Sequence, residues 1–518
     1  MTTLLTDNLA LLAGSPNGVD RLRVVIRDLA VTGRLVPHED DVGKWQWSTL
    51  GSEISGMDAG WSPACLDTPA PTYEVWGVLR TTAVQPLRYV QEENKELPAH
   101  LTPRPEAEVK AGDVLFTRAG PMNRVGISCL VDSTRPRLML SDKIIRFRPN
   151  PQRLDGRFTA LCLNAGATAR YLEAAKSGMA ASQVNISQAK LKAAPVPVPP
   201  LAEQHRIVAK VDELMDLCDR LEAEQADAEA AHAQLVAALL TSLTQARDAA
   251  DFRASWQQLS EHFHTLFTTE ASIDALKQTV LQLGVMGRLV PQDLNDEPAT
   301  QLLARLHSSK RARSAKGEEA THSDMGLASS LPSGWCWASF GEICQIKSEL
   351  VRPEDFLDSI QVAPDCIEKG TGRLLERRTV RQTGIRGPNN RFVAGQLLYS
   401  KIRPSLSKAV LVDFDGLCSA DMYPINSHID PRFQLSMMLS EMFLAQVRLA
   451  ENRVKMPKLN QESLTSFVVP LPPLKEQSRI VAKVEELLIV CDQLTLRLVQ
   501  ARQHHEHLAS VLVAQAVA

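Results

Sequence analysis

The feature of this 518-residue chain that most constrains its fold is an internal repeat. Residues 19–37 recur as residues 273–291 with nine identities in nineteen, and residues 197–221 recur as residues 470–494 with seventeen in twenty-five. The separation between the copies changes from 254 to 273 residues, so their middle parts differ in length. A duplication whose ends stay alike while its middles diverge predicts two equivalent halves, each able to form its own hydrophobic core.

Each copy contains a proline-rich junction that predicts the start of a long helix. The sequence Pro-Pro-Leu occupies residues 199–201 and again residues 472–474, and proline suits the first helical turn but not a helix interior. Apolar residues then recur at alternating spacings of four and three, the pattern of a coiled-coil seam. We therefore expect two long antiparallel coiled-coil helices of roughly 60 Å each. The predicted seam positions are Ile207, Val211, Leu214, Cys218, Leu221, Gln225, Ala228, His232, Leu235 and Leu239 in the first helix, and Ile480, Val484, Leu487, Cys491, Leu494, Leu498, Ala501, His505, Leu508 and Leu512 in the second.

The middles of the two copies predict globular domains. Residues 113–117 and 396–400 are short β-like runs, and Gly, Pro and Asn break both middles into many such segments, with helix-like stretches late in each. The expected fold class is therefore α/β mixed: two globular domains separated by the two coiled-coil helices, related as a pseudo-twofold internal repeat. The second copy also carries an extra stretch, residues 292–334, for which we expect a short helix (Ala299 to His307) and a basic linker.

Charge is distributed unevenly along the chain. The totals nearly cancel, with 57 Lys plus Arg against 60 Asp plus Glu. However, residues 101–198 hold fifteen basic residues against seven acids, and residues 373–408 hold nine against one, whereas residues 201–251 hold eleven acids against four basic residues. Basic excess on a β-rich domain is typical of a polyanion-binding surface. A merely solvated surface is the alternative on charge alone.

Known catalytic and metal-binding motifs are missing from the sequence. It contains no GxxxxGK[ST], GxGxxG, HExxH or GxSxG pattern and no Asn-Pro-Pro-aromatic motif of an adenine methyltransferase. The nine cysteines are scattered and form no CxxC pair, and His232 and His505 fit a helix seam better than a metal site. No apolar run approaches the ~18 residues of a membrane span. The first basic residue is Arg21, so the start lacks the positively charged region of a secretory signal. We therefore expect a cytoplasmic protein without a catalytic or metal site and without membrane contact.

The repeated junctions closely resemble the DNA-specificity subunit of a Type I restriction-modification system. The helix-start motif Pro-Pro-Leu-x-Glu-Gln-x-Arg-Ile-Val-x-Lys-Val is highly specific, and the resemblance extends over essentially the whole chain. The segments that carry it are residues 199–211 and 472–484 for the helix starts, residues 287–293 and 297–299 before the second domain, and residues 112–120 and 395–404 for domain strands. The two domains differ near residues 183–186 and 456–459, so no residue role is transferred from one to the other.

The resemblance implies a non-catalytic protein that binds double-stranded DNA. Each globular domain would be a target-recognition domain for one half of a bipartite asymmetric site. Methyltransferase subunits, two of them, would be its partners and would use S-adenosylmethionine, and restriction subunits would use ATP with Mg; this chain would bind no cofactor. The implied division is 1–44 N-terminal helical segment, 45–198 first target-recognition domain, 199–291 central helical spacer and start of the second repeat, 292–334 short helix and basic linker, 335–471 second target-recognition domain, and 472–518 C-terminal coiled-coil helix.

Candidate DNA-binding residues come from the basic segments of both domains, because Lys and Arg neutralise phosphates and Arg also reads base edges. Arg118 and Lys401 are favoured because they end the two Gly-x-x-Leu strands. Any one of the candidates could instead be a surface ion-pair partner. The candidates are Arg118, Arg124, Lys143 and Arg146 in the first domain, and Arg378, Arg381, Arg386, Lys401, Arg403 and Lys408 in the second.

Two other classes of function compete with DNA recognition. A self-sufficient enzyme would need cofactor or catalytic motifs, and the sequence offers none. A coiled-coil protein-interaction adaptor would use the same helices without any DNA specificity.

Overall fold

The computed structural model of the protein describes residues 9–37, 45–311, 331–451 and 457–517. The chain divides into two compact units. Unit 1 comprises residues 1–229 and 501–518, and unit 2 comprises residues 230–500. Each unit combines helices and strands, so the predicted mixed α/β class is confirmed.

Unit 1 contains small sheets flanked by helices. Its helices are α1 (Leu9–Ala13), α2 (Gly18–Val31), α3 (Gly156–Asn164), α4 (Gly166–Ala175) and α5 (Gln188–Lys192), followed by the start of the long helix α6 (Leu201–Gln245). Its strands are β1 (Gln46–Thr49), β2 (Asp58–Ala59), β3 (Gly77–Leu79), β4 (Val84–Gln85), β5 (Arg88–Tyr89), β6 (Asn94–Glu96), β7 (Val114–Thr117), β8 (Ala119–Gly120), β9 (Ser128–Leu130), β10 (Leu138–Met139), β11 (Ile144–Phe147), β12 (Ser177–Ala180), β13 (Gln183–Asn185) and β14 (Pro195–Val198).

Unit 2 repeats this plan with an extra helical segment before it. Its helices are α7 (Ala249–Glu261), α8 (Phe263–Leu266), α9 (Glu270–Val285), α10 (Ala299–Arg311), α11 (Phe340–Ile343), α12 (Val380–Thr383), α13 (Pro431–Leu439), α14 (Glu441–Ala450) and α15 (Gln461–Ser466), followed by the long helix α16 (Leu474–Val517). Its strands are β15 (Cys336–Ser339), β16 (Cys344–Ile346), β17 (Leu350–Val351), β18 (Ile360–Val362), β19 (Arg378–Thr379), β20 (Asn389–Phe392), β21 (Leu397–Ser400), β22 (Ala409–Leu411), β23 (Gly416–Ser419), β24 (Met422–Ser427) and β25 (Val468–Leu471).

One four-stranded antiparallel sheet is common to both units. Its strand order is β2-β11-β7-β9 in unit 1 and β16-β24-β21-β22 in unit 2. The neighbouring sheets differ, because unit 1 has the three-stranded sheet β10-β3-β6 where unit 2 has the five-stranded sheet β17-β20-β23-β18-β19. The divergence of the repeat middles is therefore concentrated outside the common sheet.

A tryptophan joins the long helix of each repeat to the domain that precedes it. The indole N–H of Trp45 donates to Glu203 over 3.1 Å, and that of Trp335 donates to Glu476 over 3.1 Å. Both glutamates are the Glu of the Pro-Pro-Leu-x-Glu-Gln motif and are buried. A buried carboxylate needs such donors because leaving it unpaired is costly. The motif is thus explained by packing at the helix start.

The glutamine of the same motif binds the start of a domain helix. The Gln204 side-chain oxygen accepts from the backbone N–H of Asp155 over 2.8 Å, and Gln477 accepts from that of Asp430 over 2.9 Å. Asp155 and Asp430 are the N-cap residues of α3 and α13. Because a cap fixes the direction in which a helix starts, each glutamine aligns a domain helix with its long helix.

Each unit holds the start of one long helix and the end of the other. In unit 1, Cys218 of α6 and Ala509 of α16 belong to one buried cluster. Arg23 of α2 pairs with Asp219 of α6 at 2.6 Å, and Arg21 pairs with Glu506 of α16 at 2.5 Å. Helix α2 therefore binds both long helices, which run in opposite senses as predicted.

The predicted seam is correct for the first part of each long helix and wrong at some later positions, although Leu239 and Leu512 still pack against buried clusters. Ile207 and Cys218 are buried as expected, whereas Leu235 is 53% exposed and Leu508 is 52% exposed. Their following residues, Val236 and Ala509, are buried instead. A straight helix has 3.6 residues per turn and drifts by about 20° per heptad from a 3.5-residue repeat. Over four heptads this drift approaches one residue, so the buried face moves forward by one position in both helices.

The extra stretch before the second domain is only partly within the described residues. Helix α10 begins at Ala299, as predicted, and ends at Arg311. Most of the predicted basic linker, from residue 312 to residue 330, lies outside the part of the chain that the structure describes. None of the described helices is both long enough and apolar enough to cross a membrane.

Candidate nucleic-acid interface

The favoured pair of candidates, Arg118 and Lys401, lies at equivalent places in the two units. Each follows the central strand of the common sheet, β7 or β21. The Arg118 backbone N–H donates to Lys143 O over 2.9 Å, and that of Lys401 donates to Asp421 O over 3.0 Å. The same strand end therefore carries a basic residue in both units, with a lysine opposite it in unit 1 and an aspartate in unit 2.

A later segment of each domain joins this strand end by the same backbone hydrogen bond. The Ile186 N–H donates to Arg118 O over 2.8 Å, and the Leu459 N–H donates to Lys401 O over 2.9 Å. The two segments differ in sequence, yet they are structurally equivalent. The segment of unit 2 brings Lys458 to the site, where its ammonium lies 3.3 Å from Asp421. Lys458 was not among the candidates because it lies outside the two basic stretches of the sequence. The two proline-rich junctions are 273 residues apart, and the same separation aligns Lys458 with Asn185 of unit 1.

The chain then makes a proline turn in both units. Pro121 precedes a short 3-10 turn in unit 1, and Pro404 begins one in unit 2. The residue before each proline has a positive φ, which is 142° at Gly120 and 46° at Arg403. We call these segments, residues 118–124 and 401–407, the strand-end turns.

Three of the ten candidates are exposed, and no hydrogen bond or ion pair engages their side chains within the described parts of the chain. They are Lys143, Arg386 and Arg403. Lys143 lies opposite the end of β7, Arg403 lies within the second strand-end turn, and Arg386 precedes β20. These three cations are available to a ligand.

Three candidates bind backbone carbonyls of their own domain. Arg124 donates to Thr81 O and Val84 O, both over 2.8 Å. Lys408 donates to Pro364 O. Arg146 donates to the carbonyls of residues 106 and 108, and its side chain is only 17% exposed and lies near two aspartates. Because a cation held by several carbonyls loses them if it turns outward, these residues stabilise loops of the domain.

Two further candidates are paired with carboxylates. Arg381 lies 2.9 Å from Asp358, and Arg378 lies 2.8 Å from Asp365. The hydrogen bond from Arg378 lowers the pKa of Asp365 below its ordinary value and raises that of Arg378. Exposed ion pairs of this kind are weak, so a phosphate can compete with each carboxylate for the guanidinium.

The remaining two candidates are half-buried. Lys401 places its ammonium 5.4 Å from the centre of the Tyr423 ring, within cation–π range. The Nε atom of Arg118 is buried without a hydrogen-bond partner among the described residues. An unsatisfied buried donor is costly, so the Arg118 side chain would gain free energy by turning this atom towards an acceptor.

The described residues include no group of three or more His, Cys, Asp or Glu side chains arranged to hold a metal ion. The chemistry of the strand-end turns is instead that of backbone turns carrying cations. Such surfaces attract phosphates through charge and can present an arginine to a base edge.

Comparison with known proteins agrees with this geometry. The family described as "Type I restriction modification DNA specificity domain" matches residues 104–230 and 332–499, which together make up more than half of the chain. The two matched ranges include both strand-end turns. The chain therefore belongs to this family, and the resemblance predicted from the repeated junctions is confirmed.

Individual relatives cover parts of the chain. The Type I restriction enzyme EcoEI specificity subunit of Escherichia coli is 50% identical over 203 residues, which are 39% of this chain and 34% of that protein. The EcoAI specificity subunit of Escherichia coli is 31% identical over 376 residues, 67% of this chain and 62% of that protein. The matched segments thus span between about a third and three fifths of these relatives.

A solved structure described as "Structural basis underlying complex assembly and conformational transition of the type I R-M system" includes a chain with the same fold. It aligns with a TM-score of 0.51 and 16% identity, over 93% of this chain and 99% of that one. At this identity the likeness concerns the fold alone.

Proposed function

We propose that this chain is the DNA specificity subunit of a Type I restriction-modification complex. Each unit binds one half of a bipartite, asymmetric site on double-stranded DNA, and the chain performs no catalysis itself. The observation that carries the proposal is the equivalence of the two strand-end turns. Each presents basic residues at the same strand end, next to sheets that differ between the units.

The division of the candidates follows from their contacts. Lys143, Arg386 and Arg403 contact DNA directly, together with Lys401 and Arg118 at the strand ends. Arg124, Arg146 and Lys408 maintain the loops that carry them, and Arg378 and Arg381 contact DNA in competition with their carboxylate partners. Residues 45–198 and 335–471 are the two target-recognition domains.

The partners supply the chemistry. Two methyltransferase subunits bind S-adenosylmethionine and methylate adenine, and restriction subunits bind ATP with Mg, whereas this chain binds neither cofactor. The complex acts in the cytoplasm. The alternative of a coiled-coil adaptor has no support from the family match or the relatives.

The test is a genome-wide map of methylated adenines in the source cells with and without this chain. We expect a two-part motif that is methylated in the parent and unmethylated after deletion. Complementation with a chain in which residues 335–471 come from a relative should change one half of the motif and preserve the other. An unchanged methylome after deletion contradicts the proposal.

A further inference from the structure

The backbone of the second strand-end turn is strained at an exposed arginine. Arg403 has φ 46° and ψ 53°, in the left-handed region that residues with a side chain rarely adopt. The next residue is Pro404, and a residue before proline is normally held in the extended region. Two independent preferences therefore oppose the conformation of Arg403.

Contacts of the surrounding chain hold the turn in this conformation. The Arg403 N–H donates to Pro457 O, and the Leu406 N–H donates to Arg403 O, each over 2.9 Å. The Ser405 N–H donates to the carboxylate of Glu451 over 2.9 Å. None of these bonds uses the Arg403 side chain, which is exposed. The fold thus fixes the backbone of Arg403 without any benefit from its guanidinium.

Unit 1 shows that the turn does not require an arginine. Its equivalent residue before the proline is Gly120, with φ 142°. Glycine adopts positive φ without a side-chain clash, and it is the ordinary residue at such a position. An arginine where glycine is easier points to a role outside the fold, because strain of this kind clusters at binding and catalytic sites.

The charge around Arg403 indicates what it binds. Lys401 lies two residues before it, and Lys458 lies across the isolated bridge that pairs it with Ile402. Asp421 balances Lys458, and the Glu451 carboxylate, which accepts from the Ser405 N–H, balances Lys401. The Arg403 guanidinium therefore gives the turn its net positive charge, and it suits a nucleic-acid phosphate or the O6 and N7 atoms of guanine.

We infer that the second strand-end turn is a preformed DNA-contact loop, and that its left-handed Arg403 inserts the guanidinium into the half-site bound by unit 2. This inference rests on the proposed function and adds that the two units bind DNA unequally, since Gly120 offers no side chain at the same place. The loop accepts strain in the free protein, and the contact with DNA compensates for it.

The test compares three variants of the full chain, in the complex in which it purifies from its own cells. Arg403→Gly removes both the guanidinium and the strain. Arg403→Lys retains a charge without the planar fork. Asn17→Gly is the matched control, because Asn17 is exposed, carries no charge, has a positive φ of 55° and lies outside both strand-end turns. The probe is a duplex carrying the two-part motif that the methylation map defines, with dissociation constants measured over a series of salt concentrations and melting temperatures measured without DNA.

We expect Arg403→Gly to weaken binding about five- to a hundred-fold, the range for loss of one good arginine contact, with a melting temperature no lower than that of the parent. Arg403→Lys should lie between the two, and Asn17→Gly should bind like the parent. Equal binding by Arg403→Gly and the parent overturns the inference, as does an equal loss in Asn17→Gly or a lower melting temperature for Arg403→Gly. A parent complex that binds no DNA contradicts the proposed function instead.

Discussion

The indole N–H of Trp335 and the carboxylate of Glu476 form a hydrogen bond of 3.1 Å between residues 141 positions apart. Trp45 and Glu203 form the same bond in the other unit. Both pairs join the start of a domain to the start of a long helix. The bond is therefore a structural element of the repeat, and it yields two of the predictions below.

Replacing Trp335 with Phe should destabilise unit 2 by about 1–3 kcal/mol, because the buried Glu476 carboxylate loses a donor. Calorimetric melting of the full chain measures this as a shift of one transition. Trp47→Phe is the matched control, since Trp47 is 59% exposed and should leave both transitions in place. Equal shifts for the two substitutions would show that the hydrogen bond between Trp335 and Glu476 does not stabilise unit 2.

Glu476 should also make stability depend on pH. Burial raises the pKa of its carboxyl above the ordinary 4.5, against the opposing hydrogen bonds from Trp335 and Gln292. The folded state therefore retains a proton that the unfolded state releases. This contribution is fully present below pH 4.5 and is lost as pH rises through the folded pKa.

The variant Glu476→Gln has no ionisable carboxyl at this position, so it should not lose this contribution to stability as pH rises through the folded pKa of Glu476. The measurement is the difference in melting temperature between variant and parent at a series of pH values, which should shift in favour of the variant as pH rises from 4.5. Glu486→Gln serves as the control because Glu486 is exposed. A difference that stays constant with pH would contradict the raised pKa.

The shifted seam predicts that alanine substitutions of two leucines in α6 differ in their cost to stability. Leu240 is 5% exposed and Leu235 is 53% exposed. We expect Leu240→Ala to cost about 2–5 kcal/mol, the usual range for emptying a buried leucine site, and Leu235→Ala to cost little. Chemical denaturation followed by circular dichroism compares the two directly. A larger loss of stability for Leu235→Ala than for Leu240→Ala would support the strict heptad seam instead.

The contacts of the candidate cations predict a division between binding and folding. Lys143→Ala should leave the melting temperature unchanged, weaken binding to all duplexes similarly and reduce the salt slope by about 1. Arg146→Ala should lower stability by about 1–3 kcal/mol because two backbone carbonyls and the buried Asp113 carboxylate lose a partner. Melting curves and salt titrations of both variants separate the two roles. Lowered stability in Lys143→Ala would contradict this division.

The architecture could be predicted largely from the repeat. The prolines marked both long-helix starts correctly, since proline acts locally on the first turn. The late seam positions were wrong because a small angular drift per turn accumulates and is visible only when the partner surfaces are known. The functions of Glu203 and Gln204 also needed the structure, because their partners are distant in sequence.

The candidate site was less predictable, for a physical reason. A basic residue has the same letter whether it faces solvent or binds carbonyls. Arg124 binds residues about forty positions earlier, and nothing local to Arg124 indicates this. Lys458 reaches the strand end from a segment outside the basic stretches. The strain at Arg403 is equally absent from the sequence, although its alignment with Gly120 before a shared proline was an available sign.

Unit 1 is built from two separate stretches of the chain, and this has a consequence for the order in which the units are synthesised. Its residues up to 229 are translated before unit 2, but residues 501–518, which supply Glu506 to Arg21, are translated after it. Unit 2 is one continuous stretch, residues 230–500. Unit 1 is therefore begun before unit 2 and completed after it, and a premature stop codon at residue 501 would remove part of unit 1 while every residue of unit 2 was still made.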